Sequence, residues 1–73
     1  MNYRIYLKCP DMKKYSAVSG VGITHNLIYA EMWNYLESAI QAFDSLIRTN
    51  DSSYKWQLRD VKQKVIKTSE GNN

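Results

Sequence analysis

Apolar and polar positions alternate most regularly in residues 34–49, NYLESAIQAFDSLIRT, where Leu36, Ala39, Ile40, Phe43, Leu46 and Ile47 recur at three- and four-residue steps. At about 100° per residue they form one apolar stripe about 120° wide, with Glu37, Gln41, Asp44, Ser45 and Arg48 on the opposite side. Asn34 followed by Glu37 reads as a variant of the capping box that starts a helix. Asp44 and Arg48 stand four apart in the favourable acid-first order. The spacing predicts an amphipathic helix over 34–49 that must lie on an apolar surface.

Elsewhere the period is two. In residues 2–9, Tyr3, Ile5, Leu7 and Cys9 alternate with Arg4, Tyr6 and Lys8, which predicts a half-buried strand. Pro10 and Asp11 end it, because proline cannot donate to a ladder and Pro-Asp favours a turn. Residues 14–19, KYSAVS, complete a hairpin, and GVGITHN at 20–26 reads as a loop. Residues 27–33, LIYAEMW, fit two descriptions. A third strand would place Ile28, Ala30 and Met32 on one side; alternatively, Asn26 caps a helix that runs back from the 34–49 stripe. Aromatic and branched residues favour the strand. Tyr54, Trp56 and Leu58 alternate with Lys55, Gln57 and Arg59, predicting a last strand to about Lys62, with a helix through Tyr54, Leu58, Val61 and Val65 as the competing description.

These elements predict an α+β fold: a three- to four-stranded, mainly antiparallel sheet with one amphipathic helix on one face, in the order ββ(β)αβ. Residues 1–66 form the single domain and 67–73, KTSEGNN, a disordered polar tail. Two hairpin-joined strands before the helix and a right-handed crossover after it give the sheet order 3-2-1-4, with the first and last strands side by side.

Composition narrows the chemistry. With 73 residues, the chain has room for one thin core. One cysteine excludes a disulfide framework within the chain and suits a reducing, cytoplasmic setting. The N-terminus lacks an apolar signal region, and no apolar run is long enough to span a membrane. The net charge of +3 permits an anionic partner. Its cations lie outside the helix, at Arg4, Lys8, Lys13 and Lys14 before it and at Lys55, Arg59, Lys62, Lys64 and Lys67 after it.

Residues suited to catalysis are few. Gly20-Val21-Gly22 lacks the third glycine and the strand–helix context of a dinucleotide site, and no phosphate-loop motif is present. His25 is the only histidine, and its plain reading is a loop residue with an ordinary hydrogen bond. Cys9 lies on the apolar side of the first strand, as a small buried hydrophobe does. Glu37 and Asp44 look solvated. No enzyme, metal or cofactor is expected.

Two surfaces remain. With Tyr3, Ile5, Leu7, Tyr54, Trp56 and Leu58 turned to the helix, the outer sheet face carries Arg4, Tyr6, Lys8, Lys55, Gln57 and Arg59. Cations around an aromatic on a sheet suit single-stranded nucleic acid, with Tyr6 as the stacking platform; a merely solvated face is the plainer reading. The second surface is the lysine-rich stretch Lys62, Lys64 and Lys67. The chain also has two tryptophans and six tyrosines. Most belong to the core, leaving residues such as Tyr6, Tyr15 or Tyr35 as anchors for a protein partner.

The succession YRIYLK, basic turn, NLIYAEMW, amphipathic helix and YKWQLRDV resembles small ββ(β)αβ proteins of phage and mobile-element type. That resemblance extends over most of the chain as a pattern and carries no diagnostic motif. It implies a non-enzymatic inhibitor that occupies a surface of a host nucleic-acid-processing or defence complex, as anti-CRISPR-like proteins do. Arg4, Tyr6, Lys8, Lys55 and Arg59 are the expected partner-binding residues. The expected partner is another protein, with single-stranded nucleic acid as the alternative and a homodimer through an open sheet edge as a third possibility.

Overall fold

Alternation prevails at the N-terminus: β1 (Tyr3–Lys8) sends Ile5 and Leu7 into the core and turns Arg4, Tyr6 and Lys8 to the other side of the sheet. The computed structural model describes residues 2–69. After β1 come β2 (Ser16–Ser19), β3 (Gly22–Thr24), a single 3-10 turn (Leu27–Tyr29), α1 (Leu36–Thr49), β4 (Lys55–Asp60) and β5 (Val65–Thr68). The strands form one five-stranded sheet in the order β3-β2-β1-β4-β5, antiparallel throughout. The fold is therefore α+β, with one helix on a five-stranded antiparallel sheet, more strands than the expected three to four.

The first and last predicted strands are neighbours as expected, and β4 runs antiparallel to β1, as β2 does on its other side. Trp33 pairs with Tyr3 at the start of β1, and the far end of α1, Leu46 and Asn50, lies beside Leu7 and Trp56. The helix thus runs alongside β1, and β4 returns from its end.

Ile5, Leu7, Ala39, Phe43, Trp56 and Leu58 form the buried core between helix and sheet, with Ile40, Leu46, Ile47, Val18 and Trp33 packed around it. Burying such side chains contributes roughly 1.5–3 kcal/mol each. The predicted helix stripe is correct except at its first member, since Leu36 remains exposed. The helix also starts later than predicted. Tyr35 occupies the cap position without a side-chain cap bond, so Asn34 and Glu37 make no capping box. Asp44 reaches across to β5, where Lys67 Nζ donates to its Oδ1 at 3.1 Å, in place of the expected pairing with Arg48.

Residues 27–33 are neither the predicted strand nor a backward extension of the helix. Asn26 does cap, its Oδ1 accepting from the Ile28 N–H at 3.0 Å, but for one 3-10 turn only. The chain then extends, and single bridges join Ala30 to Ser19 and Trp33 to Tyr3. These bonds take up β1 and β2 backbone groups beyond the last β1–β2 pair, Tyr6 with Ala17.

Two short edge strands were not predicted. β3 falls within the expected GVGITHN loop. β5 begins after a turn organised by Asp60, whose Oδ1 accepts from the N–H groups of Lys62 (2.9 Å) and Lys64 (3.0 Å), with Gln63 in the left-handed region at φ 69°. β4 accordingly stops at Asp60 rather than near Lys62. The tail predicted from residue 67 is corrected in its first part: Lys67 pairs with Leu58, and Thr68 with Gln57. Residues 70–73 of that tail lie outside the described residues.

Candidate functional site

The β1–β4 register brings the predicted outer-face residues together in three cross-strand pairs: Arg4 opposite Arg59, Tyr6 opposite Gln57, and Lys8 opposite Lys55. They share the sheet face turned away from α1, because Ile5, Leu7, Trp56 and Leu58 alternate with them and enter the core. Lys55 is exposed, while Arg4, Lys8, Gln57 and Arg59 are half-buried.

Tyr6 is not the open stacking platform expected. It is only 4% exposed, and the Arg59 guanidinium carbon lies 4.2 Å from the centre of its ring. The same guanidinium is 5.3 Å from the ring centre of Tyr15. Arg59 is held there by two glutamines, its Nε–H donating to Gln57 Oε1 (2.8 Å) and its Nη1 to Gln63 Oε1 (3.2 Å). A cation over an aromatic face contributes about 0.5–2 kcal/mol, depending on desolvation. The stack that nucleic-acid bases would need is occupied from within the chain.

On the same face two buried polar atoms, Tyr6 Oη and Arg4 Nε, make no hydrogen bond among the described residues. Leaving a buried donor unsatisfied costs about 1–3 kcal/mol. Like charges directly opposite on a sheet are also destabilising, and this face has two such pairs, Arg4–Arg59 and Lys8–Lys55. Among the described residues, no acidic side chain occupies a strand position on the same face. Asp60, the carboxylate at the end of β4, alternates to the helix side and is committed to the turn.

Exposed apolar residues border the end of the sheet where Arg4 and Arg59 lie. Val21 occupies the turn after the Ser19–Gly22 pair, Met32 adjoins Trp33 on Tyr3, Val61 follows Asp60, and Val65 pairs with Arg59. Ile28, Tyr29 and Tyr35 are exposed on the connection between β3 and α1. Of the proposed aromatic anchors, Tyr35 is exposed, Tyr15 half-buried and Tyr6 buried.

The helix side offers less chemistry. A groove of about 330 Å³ is lined by Ile47, the 51–56 segment and Ser69. In it, the Asp51 carboxyl lies below the usual carboxylate range because the Ser53 N–H donates to it at 2.8 Å. His25 Nδ1 lies 3.0 Å from Ser16 Oγ, the ordinary loop hydrogen bond expected. That serine is 2% exposed, so its hydroxyl is closed to a substrate. Cys9 is half-buried against the core. Among the described residues no group of three or more His, Cys, Asp or Glu side chains converges, and no helix is long and apolar enough to cross a membrane. The lysine-rich stretch is divided: Lys62 and Lys64 are exposed around the turn, and Lys67 is tied to Asp44.

Sequence reasoning missed Gln57 and Gln63 as the residues that fix Arg59, and the apolar border. The signal for Gln57 was present in the alternation, which puts it on the same face as Arg59. Gln63 becomes its neighbour only through the unpredicted turn. Comparison of the chain with protein-family models, curated proteins and solved structures finds no match in any of the three.

Proposed function

We propose that this chain is a non-enzymatic binding module that docks the face of its sheet turned away from α1 against an acidic surface of another protein. The observation that carries the reading is the Arg4–Arg59 pair, held in like-charge opposition at the end of the sheet where Met32, Val61 and Val65 are exposed. Cations alone suit any polyanion. Aliphatic side chains around them suit a protein, because apolar contact with charge steering gives protein interfaces their residence time and their encounter rate. The enclosure of Tyr6 beneath Arg59 argues in the same direction, since single-strand binding relies on free aromatic faces. With the phage-type resemblance, the mechanism is steric: the module acts as an inhibitor by covering a groove of a host nucleic-acid-processing or defence complex.

Affinity capture from a nuclease-treated bacterial lysate tests this, comparing the natural chain with a variant carrying Arg4→Glu, Lys8→Glu and Lys55→Glu. An Arg48→Glu variant, altered on the exposed side of α1, is the control. The reading expects a protein captured by the natural chain and the control and lost by the triple variant. Equal capture by all three overturns it, as does recovery of nucleic acid alone or of the chain itself alone.

A further inference from the structure

We infer that Arg4, Arg59 and the Tyr6 hydroxyl form a discrete oxyanion-binding site, whose occupant is a carboxylate side chain of the acidic partner; this rests on the docking reading above. Arg4 and Tyr6 are two apart on β1 and so share a face, and Arg4 is directly opposite Arg59. Three features of this spot are costly when considered as structure alone. Two arginines occupy directly opposite positions in the register of β1 and β4. The Arg4 Nε–H is buried without an acceptor among the described residues, and so is the Tyr6 hydroxyl, on a side chain that is 4% exposed. One oxyanion relieves all three. It adds negative charge beside the paired arginines, accepts from Arg4 Nε and accepts from Tyr6 Oη.

The chemistry of the donors favours an oxyanion with several lone pairs. An arginine offers a planar fork of N–H donors matched to carboxylate geometry, and bonds from a charged donor are about twice as strong as neutral ones. Arg59 supplies the second guanidinium: its long side chain lies over the Tyr6 ring and is held there by Gln57 and Gln63. Lys8 and Lys55, further along the same strands, add field without geometry, since an ammonium acts as a point charge.

The test is a titration of the chain with a hexaglutamate peptide, following affinity and the Arg4 Nε–H resonance by NMR. Arg4→Lys keeps the charge and removes Nε. Tyr6→Phe removes only a hydroxyl that makes no bond among the described residues, so the fold is retained. Lys55→Gln removes one charge from the same face outside the site. The inference expects saturable binding, a downfield shift of the Arg4 Nε–H, and about tenfold weaker binding for both Arg4→Lys and Tyr6→Phe. Lys55→Gln, at an exposed position, should weaken it less than about threefold. If the peptide binds and Arg4→Lys and Tyr6→Phe match the natural chain, the discrete site is overturned and acidic docking stands. If the natural chain fails to bind the peptide at low salt, the docking reading fails as well. If a short single-stranded oligonucleotide binds more tightly than the peptide and loses affinity in the same two variants, the carboxylate occupant is overturned in favour of phosphate.

Discussion

Arg4 and Arg59 stand directly opposite each other on the two central strands of the sheet, in a register fixed by Ile5 opposite Leu58 and Leu7 opposite Trp56. The core decides this pairing: a one-residue slip would turn Ile5, Leu7, Trp56 and Leu58 out of contact with Phe43 and Ala39. The arginines are therefore opposed because their chain neighbours Ile5 and Leu58 must meet the helix.

Replacing one of them should reveal the opposition as a cost. Arg4→Glu turns a like-charge cross-strand pair into an opposite-charge pair and should stabilise the fold by about 0.2–1 kcal/mol in urea denaturation. The gain should shrink as salt is added, because half-buried surface charges are partly screened. A variant less stable than the natural chain at low salt would mean that the guanidinium of Arg4 makes a stabilising contact outweighing the repulsion.

Phe43 carries the helix onto the sheet. It is fully buried, so Phe43→Ala should cost about 3–5 kcal/mol through lost transfer energy and a cavity, comparable with the whole stability of a small domain. Gln41→Ala, on the exposed side of the same helix, should change stability by no more than about 0.5 kcal/mol. Thermal melts of the two variants check this directly, and an unchanged Phe43→Ala melting temperature would refute the core described.

The central elements were legible in the sequence and the edges were not, for a physical reason. Residues 3–8 and 55–60 alternate because one side of each strand is buried against α1, and the helix stripe repeats because one of its sides is buried against them. β3 and β5 lie at the sheet edges, where little burial is imposed and short strands leave no period to read: β3 has two exposed residues of three, and Val65, Ile66 and Lys67 in β5 are all exposed. The same cause misled the reading of residues 27–33, where Asn26 and the bridges to Ser19 and Tyr3, not periodicity, set the path. For the outer face, alternation correctly placed Arg4, Tyr6, Lys8, Lys55 and Arg59 together. It could not show that Arg59 lies over Tyr6, because that contact is diagonal across the register.

Asp60 should matter to β5 beyond its charge. Its Oδ1 accepts two backbone N–H groups in the turn from β4 to β5, so Asp60→Ala leaves both without that acceptor. A loss of about 1–3 kcal/mol is expected, with Asp60→Asn retaining the acceptor oxygen and costing less. Hydrogen exchange of the β5 amides should accelerate in Asp60→Ala while the β1 amides, paired on both sides, stay protected.

Lysine acetylation footprinting of the captured complex tests the docking surface most directly. Lys8 and Lys55 lie opposite each other on the face turned away from α1, whereas Lys62 and Lys64 lie in the turn beyond β4 and Lys13 and Lys14 in the loop after β1. Reactivity read by mass spectrometry before and after complex formation should fall several-fold at Lys8 and Lys55 and stay unchanged at Lys13 and Lys14. Protection of Lys13, Lys14, Lys62 or Lys64 with Lys8 and Lys55 fully reactive would contradict the assignment of the partner to this face of the sheet.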